Sequence, residues 1–177
     1  MDWSPEARAA RVEAIIFDVD GVLTGGELVY GGGEELKIFN VHDGHGFVLA
    51  RQAGLKLALL SGRAGEALRK RAADLKIDHL REGVVNKGAA FLELCGILRV
   101  KPEEVCYVGD DLIDLPALRE AGFPVAVANA VPEVRERVAW VTTRPGGSGA
   151  AREVIEYILK ARGRWESMVK RYAEGEG

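Results

Sequence analysis

Short apolar runs alternate along the chain with longer stretches in which apolar residues recur at helical spacing. The apolar runs end in glycine or polar residues and predict strands at residues 12–17, 55–60, 105–108, 124–127 and 140–142, with one more around Leu80. The stretches between them predict helices at residues 46–52, 65–75, 87–98, 112–120 and 132–137, and one long last helix over residues 149–172. This alternation predicts an α/β fold, a Rossmann-like doubly wound parallel sheet with helices on both faces.

The segment after the first predicted strand has a different pattern. Residues 27–30 and 36–40 flank three consecutive glycines, and this arrangement predicts a β-hairpin over about residues 27–40. The hairpin's apolar side chains would ordinarily pack on their own domain; they are Leu28, Tyr30, Leu36, Ile38 and Phe39. At about 150 residues per domain, the length of the chain predicts that residues 1–177 form a single domain.

Composition narrows the class of protein. The chain has 177 residues, and its 24 basic and 27 acidic side chains give a net charge of −3. Nucleic-acid-binding and membrane-surface proteins need a basic face, so we expect neither partner. No apolar run approaches the roughly 18 residues of a membrane-spanning helix, and the charged first residues do not resemble a secretion signal. The 2 cysteines form neither a disulfide framework nor a zinc site, so we expect a cytoplasmic protein.

Polar residues that could carry chemistry directly follow the predicted strands. Asp18 and Asp20 follow the first strand, Ser61 follows the second, and Asp110 begins an acidic run after a later one. The carboxyl ends of parallel strands meet at one edge of a sheet, which is where open α/β folds bind ligands. We therefore expect these loops to converge on one acidic crevice.

Asp18 and Asp20 lie two residues apart at a strand end, so both could face this crevice. A carboxylate can attack phosphorus and form an aspartyl-phosphate, while a second carboxyl group protonates the leaving oxygen and later activates water. Gly21 would let the backbone turn sharply beside a ligand. Taken alone, such a pair is equally typical of an acidic strand end that faces solvent.

Two further residues suit a phosphate group. The hydroxyl of Ser61, at the entry to a helix, could bind an anion together with nearby amides, or could simply begin the turn. Lys87 opens another helix, where the helix dipole disfavours a cation. It could balance the charges of a carboxylate nucleophile and a phosphoryl group, or could be an ordinary surface lysine.

Asp110, Asp111 and Asp114 crowd the end of one predicted strand. One carboxylate would suffice to cap the following helix, whereas three together favour a bound cation. Mg²⁺ takes oxygen ligands, typically one or two carboxylates together with water and substrate phosphate. We therefore expect a magnesium site formed by Asp18 and Asp110, with Asp111 and Asp114 as further or supporting carboxylates.

The order of these motifs resembles the haloacid dehalogenase superfamily of phosphatases, over residues 12 to about 160. The motifs that carry the resemblance are Asp18-Val19-Asp20-Gly21-Val22, Ser61, Lys87 and Gly109-Asp110-Asp111. The resemblance implies that Asp18 is the nucleophile and Asp20 the general acid and base. It also implies that Ser61 and Lys87 hold the phosphoryl group, and that Mg²⁺ is bound by Asp18, Asp110 and the backbone carbonyl of Asp20.

Within that superfamily, the chain is similar to the capless subgroup that includes 3-deoxy-D-manno-octulosonate 8-phosphate phosphatase. The similarity is carried by residues 33–41, 43–44, 61–63, 109–114 and 146–154. It implies a homotetramer assembled through the hairpins, in which a neighbour covers each active site. It also implies a sugar-acid phosphate as substrate, with Ser61, Gly62 and Arg63 in the binding site. His42, which stands where the subgroup often carries arginine, is a further candidate for contact with the substrate.

The acidic motifs predict a Mg²⁺-dependent phosphomonoesterase that acts through an aspartyl-phosphate, and the resemblance implies 3-deoxy-D-manno-octulosonate 8-phosphate as its substrate. A phosphatase for a nonulosonate or another sugar phosphate is the first alternative, because His42 departs from the subgroup pattern, although Arg63 favours the octulosonate branch. The second alternative is a non-catalytic phospho-receiver or scaffold module. The position of Asp18 after the first strand argues against a receiver, whose phosphoacceptor follows a later strand, and the complete acidic set argues against an inactive scaffold.

Overall fold

A computed structural model describes residues 3–176 of the protein. The strands are β1 (Ala14–Phe17), β2 (Val29–Gly31), β3 (Glu34–Leu36), β4 (Lys56–Leu60), β5 (His79–Arg81), β6 (Val105–Gly109), β7 (Phe123–Ala126) and β8 (Trp140–Val141). The α-helices are α1 (Pro5–Ala9), α2 (Val41–Gln52), α3 (Glu66–Asp74), α4 (Lys87–Leu98), α5 (Leu115–Glu120), α6 (Pro132–Arg135), α7 (Ala150–Ala161) and α8 (Trp165–Ala173). Short 3₁₀ turns cover Pro102–Glu104 and Leu112–Asp114.

Six of the strands form one parallel sheet in the order β5-β4-β1-β6-β7-β8. The central strands β1 and β6 are buried along their whole length, because a parallel sheet covered on both faces needs continuous apolar runs. The strand order changes direction at β1, which lies between β4 and β6. The loops that follow these three strands therefore meet at one place on the sheet edge.

The helices flank this sheet in two groups. On one side α2 packs against α7, which also contacts α1; on the other side α4 packs against α5. Both α2 and α4 contact β4, so the sheet lies between the two groups. This arrangement confirms the predicted doubly wound α/β fold.

None of the helices within residues 3–176 combines the length and the apolar character required to cross a membrane.

Two helix predictions are wrong in their bounds. The helix predicted to begin at residue 46 begins at Val41, because the side chain of Asn40 accepts the amide hydrogen of His42 at 2.8 Å and caps the helix. The long helix predicted over residues 149–172 is two helices, α7 and α8. The break lies at Gly163, whose φ of +65° no helix accommodates.

The predicted hairpin is present but shorter, since β2 pairs with β3 in an antiparallel register of Val29 with Leu36. Most of its predicted apolar side chains are exposed, including Tyr30 at 69% and Ile38 at 77%. Phe39 differs, because it packs against the core. Packing on the hairpin's own domain thus holds for Phe39 and not for the exposed side chains.

Candidate active site

The two carboxylates predicted after the first strand lie in the turn that follows β1. The amide of Asp18 donates to the carbonyl of Val108 at 2.9 Å, and the amides of residues 22–24 then fold back onto the carbonyl of Val19. Asp18 is buried and Asp20 is half-buried, and both line one cavity. Since β1 ends before Asp18, this turn, and not strand alternation, brings the two carboxylates together.

Glycines allow close contacts around the turn that follows β1. At Gly21 φ is +88°, and a Cβ atom there would lie 2.0 Å from Oδ2 of Asp110. A Cβ atom on Gly146 would lie 1.7 Å from the carbonyl oxygen of Gly21. The amide of Gly147 donates to the carbonyl of Val22 at 3.0 Å. The loop before α7 thus approaches the turn that follows β1 more closely than any side chain at Gly146 would permit.

Lys87 is the first residue of α4 and is turned inward. Only 1% of its side chain is exposed, and its Nζ donates to Oδ1 of Asp18 at 2.6 Å and to Oδ1 of Asp114 at 2.7 Å. Burial alone would lower the pKa of Lys87, but the two carboxylates outweigh burial and raise it. The reading of Lys87 as an ordinary surface lysine is therefore wrong.

Asp114 is fully buried and organises the loop after β6. Its Oδ1 accepts hydrogen bonds from Lys87 and from the hydroxyl of Tyr107 at 2.7 Å. Its Oδ2 accepts the amide hydrogens of Asp110 at 3.0 Å and Asp111 at 3.3 Å. Because all these donors surround one carboxylate, Asp114 fixes both the lysine and the backbone that carries Asp110.

Three carboxylates form the cluster that could hold a metal ion: one oxygen each from Asp18, Asp110 and Asp114 lies within 4.8 Å of the others. Burial and the nearby charge of Asp114 raise the pKa of Asp18 well above its ordinary value, although Lys87 opposes them. Burial, followed by the charges of Asp114 and Asp111, raises the pKa of Asp110 to about 7. Crowded oxygen ligands of this kind fit Mg²⁺, which would relieve their repulsion.

Asp111, expected as a further ligand or a supporting carboxylate of the magnesium site, lies outside the cluster of Asp18, Asp110 and Asp114. It is exposed and lines the cavity, and its Oδ1 accepts the amide hydrogen of Leu112 at 2.6 Å. It thus caps the 3₁₀ turn, which is the simple capping role that one carboxylate of this run was expected to fill. In the carboxylate cluster its place is taken by Asp114.

The segment predicted to bind phosphate follows β4. Ser61 is fully buried, and its hydroxyl accepts the amide hydrogen of Arg63 at 3.1 Å, which begins the turn. A hydroxyl that accepts one hydrogen bond still has a hydrogen to donate, so the turn role and phosphate binding are compatible. Gly62 and Arg63 both line the cavity.

The cavity itself has a volume of about 280 Å³. It is lined by Asp18, Asp20, Gly26, Leu28, Gly62, Arg63, Asp110, Asp111 and Ile113. Its acidic floor and the arginine at its edge are suited to a small anionic ligand bound together with a cation. Loops from three neighbouring strands and the base of the hairpin contribute to it, as the sheet topology requires.

His42 is not brought to this cavity by the fold of its own chain. It is exposed near the start of α2 and lines a separate cavity of about 260 Å³, together with Arg144, Arg152, Glu153 and Glu156. His42, a candidate for contact with the substrate, therefore does not line the cavity that Asp18 and Asp20 share in this chain. His42 lies in the first turn of α2.

Sequence reasoning missed the role of the hairpin's charged residues. Lys37, directly after β3, donates from Nζ to Oδ1 of Asp20 and lies 2.6 Å from Oε1 of Glu35. Glu35 in turn accepts a hydrogen bond from Arg63. The hydrogen bonds from Arg63 and Lys37 lower the pKa of Glu35 to about 2. The spacing of Glu35 and Lys37 by two residues is typical of side chains on one face of an extended segment, but it gave no sign that Lys37 reaches Asp20.

Comparison with known proteins places the chain in a family. A family model described as haloacid dehalogenase-like hydrolase matches residues 79–154. The 3-deoxy-D-manno-octulosonate 8-phosphate phosphatase of Escherichia coli strain K12 is 46% identical over 160 residues, which cover 89% of this chain and 85% of that protein. The phosphatase of the same name from Yersinia pestis is 44% identical over 161 residues, which cover 90% and 86%.

Solved structures agree with this placement. The phosphatase of this name from Moraxella catarrhalis, in complex with a magnesium ion, a phosphate ion and a KDO molecule, matches with a TM-score of 0.92 at 37% identity, over 95% of this chain and 97% of that one. The Yersinia pestis crystal structure matches with a TM-score of 0.89 at 42% identity, over 91% and 88%. The chain therefore belongs to the haloacid dehalogenase-like hydrolases, in the family of the 3-deoxy-D-manno-octulosonate 8-phosphate phosphatases.

Proposed function

We propose that this protein is a Mg²⁺-dependent phosphatase that hydrolyses 3-deoxy-D-manno-octulosonate 8-phosphate. The observation that carries the proposal is the buried carboxylate of Asp18, which Lys87 holds at 2.6 Å and which clusters with Asp110 at a cavity that Asp20 also lines. The names of the relatives support this substrate, and the Moraxella catarrhalis complex with magnesium, phosphate and KDO supports the same metal.

In the first step, an oxygen of Asp18 forms a bond to phosphorus while the bond from phosphorus to the sugar oxygen breaks. The proton of the Asp20 carboxyl group moves to the departing oxygen. Lys87 stabilises the ionised form of Asp18, which burial would otherwise protonate, and so keeps the nucleophile reactive. The product of this step is an aspartyl-phosphate on Asp18 and a free sugar acid.

In the second step, a water molecule attacks the same phosphorus and gives its proton to the carboxylate of Asp20. The bond between Asp18 and phosphorus breaks, and both carboxyl groups return to their starting states. When bound, Mg²⁺ supplies positive charge to the phosphoryl oxygens and to the acidic cluster. Asp18, Asp110 and the backbone carbonyl of Asp20 would hold it, with Asp111 close by and Asp114 supporting the loop.

The remaining site residues are proposed to bind the substrate. The buried hydroxyl of Ser61 and the backbone at Gly62 lie at the carboxyl end of β4, where the phosphoryl group would be held together with Lys87. Arg63 carries its guanidinium at the edge of the cavity, with 44% of its side chain exposed. An arginine in this position suits the carboxylate of a sugar acid, which it can bind with two parallel hydrogen bonds.

We also infer a homotetramer, assembled through the hairpin. The support is the exposed apolar surface formed by Leu28, Tyr30, Leu36 and Ile38, which is unusual on a protein that works as a monomer. Because His42 lies outside its own chain's cavity, a contact between His42 and substrate would have to form in the site of a neighbouring subunit. The two buried free thiols, Cys95 and Cys106, suit a single-domain protein of the reducing cytoplasm.

Trapping of the covalent intermediate tests the mechanism. Wild-type enzyme is mixed with Mg²⁺ and octulosonate phosphate whose phosphoryl group is radiolabelled, and the reaction is quenched in acid. The protein is expected to carry a label that hydroxylamine removes. Asp18→Asn should carry no label and release no phosphate. Asp74→Asn, which removes an exposed carboxylate at the end of α3, is the matched control and should behave as wild type. A label retained in Asp18→Asn would contradict the assignment of the nucleophile.

A further inference from the structure

Lys37 reaches from the hairpin into the active site. Its Nζ donates to Oδ1 of Asp20 and lies 2.6 Å from Oε1 of Glu35, and only 5% of its side chain is exposed. We propose that Lys37 is a positioning residue that holds the Asp20 carboxyl group in the orientation required for proton transfer. This inference rests on the proposed phosphatase function, in which Asp20 is the general acid and base.

Asp20 needs such support because little else constrains its side chain. It lies in a turn, and 24% of its side chain is exposed. Within residues 3–176, Lys37 is the only side chain that hydrogen-bonds to its carboxylate. Asp18 and Asp114, by contrast, are buried and share the ammonium group of Lys87. A general acid must approach the leaving oxygen within hydrogen-bond distance, so a freely rotating Asp20 would transfer its proton less often.

Lys37 is itself held in place by the hairpin. Glu35 binds Lys37 through Oε1 and Arg63 through Oε2, and this links four charged groups in the order Asp20, Lys37, Glu35 and Arg63. An ammonium group on a side chain so little exposed cannot leave its carboxylate partners without a large loss of stabilisation. The hairpin therefore contributes a fixed cation to the turn that carries Asp18 and Asp20.

The chemistry of the leaving group separates a positioning role from a general structural role. A sugar alkoxide is a poor leaving group and needs the proton of Asp20, whereas p-nitrophenolate leaves without one. The value of kcat/KM reports steps up to departure of the leaving group, so it isolates formation of the aspartyl-phosphate. Hydrolysis of that intermediate needs Asp20 for both substrates. If Asp20 is no longer held in position, kcat/KM for the sugar phosphate should therefore fall. With p-nitrophenyl phosphate the intermediate should form quickly and hydrolyse slowly, which produces a burst of p-nitrophenolate.

The test compares Lys37→Met, Lys37→Arg and Lys37→Gln with Lys56→Met. Lys56 is a matched control, because its Nζ donates only to backbone carbonyls at the far end of the sheet. For Lys37→Met, kcat/KM for 3-deoxy-D-manno-octulosonate 8-phosphate should fall roughly 10- to 100-fold, and for p-nitrophenyl phosphate less than about threefold. The burst should approach one p-nitrophenolate per active site. Lys37→Arg should recover part of the loss, and Lys56→Met should match wild type.

Equal losses on the two substrates, without a burst, in a Lys37 variant that melts at the wild-type temperature would overturn the inference. No loss on either substrate would overturn it as well. Lys37→Gln provides the same comparison if the methionine variant does not fold. Failure of the wild type to hydrolyse either phosphate in Mg²⁺ would instead contradict the proposed function, so the two failures are distinguishable.

Discussion

Removal of Lys87 is expected to destabilise the protein strongly, because its ammonium group is the buried cation shared by Asp18 and Asp114. Both contacts are short, 2.6 and 2.7 Å, and all three side chains are at most 5% exposed. Breaking a buried ion pair by deleting one partner costs about 3–5 kcal/mol. A domain of this kind has a total stability of roughly 5–15 kcal/mol. Lys87→Met should therefore lose a large share of the free energy of unfolding.

The assay is urea unfolding at pH 7.5 in the presence of a chelator and at fixed protein concentration, since assembly affects apparent stability. The expected loss for Lys87→Met is about 3 kcal/mol or more. The loss should shrink as pH falls, because the carboxylates left without a cation take up protons. Asp18→Asn combined with Lys87→Met should lose less than the sum of the two single variants, with a coupling of about 1–3 kcal/mol.

Lys56→Met serves as the control here too, since it removes an ammonium group that donates only to backbone carbonyls. Its cost should lie near that of an ordinary hydrogen bond, about 0.5–1.5 kcal/mol. A Lys87→Met variant no less stable than Lys56→Met would refute the reasoning, because the buried carboxylates would then not depend on this cation.

Three further predictions follow from the same geometry. Gly146→Ala should lower kcat at least tenfold, because its Cβ would lie 1.7 Å from the carbonyl oxygen of Gly21. Gly96→Ala is the control, because a Cβ there would meet nothing within 4 Å, and it should raise the free energy of unfolding by about 0.5–1 kcal/mol. The lowered pKa of Glu35 means that its ionised form stabilises the fold above its ordinary pKa of 4.5, and that this contribution is lost as pH falls towards 2. The difference in the free energy of unfolding between wild type and Glu35→Gln should therefore vanish between pH 4.5 and pH 2. A difference that is independent of pH would contradict this prediction. Removal of Mg²⁺ by a chelator should abolish turnover reversibly. In a Mg²⁺ titration, Asp110→Asn should need a concentration at least tenfold higher for half-maximal activity. Full activity without metal would contradict the proposed cluster.

The fold was largely predictable because its signals are local. Short apolar runs rich in β-branched residues, such as that of β1, are typical of buried strands, and their alternation with helices indicates a parallel sheet. The errors occurred where capping or a single residue decided the outcome. Asn40 begins α2 earlier than its apolar pattern suggests, and Gly163 divides the last helix.

The site was predictable where sequence order and topology coincide. Asp18, Asp20 and Asp110 converge because their strands are neighbours, which the alternating pattern implies. Contacts made by long side chains across the fold were not predictable. Lys37 contacts Asp20 only once the hairpin packs over the turn that follows β1, and nothing in the local sequence fixes the orientation of the hairpin relative to that turn. The same holds for His42, which the fold directs to a different cavity.

The most direct test of the proposed function is phosphate release from a panel of sugar-acid and simple sugar phosphates, each measured with Mg²⁺ and with a chelator. The proposal predicts metal-dependent release from 3-deoxy-D-manno-octulosonate 8-phosphate, with a kcat/KM well above that for every other member of the panel. Faster release from another sugar phosphate would contradict the substrate while retaining the chemistry of Asp18 and Asp20. No release from any phosphate ester in the presence of Mg²⁺ would contradict the catalytic function itself.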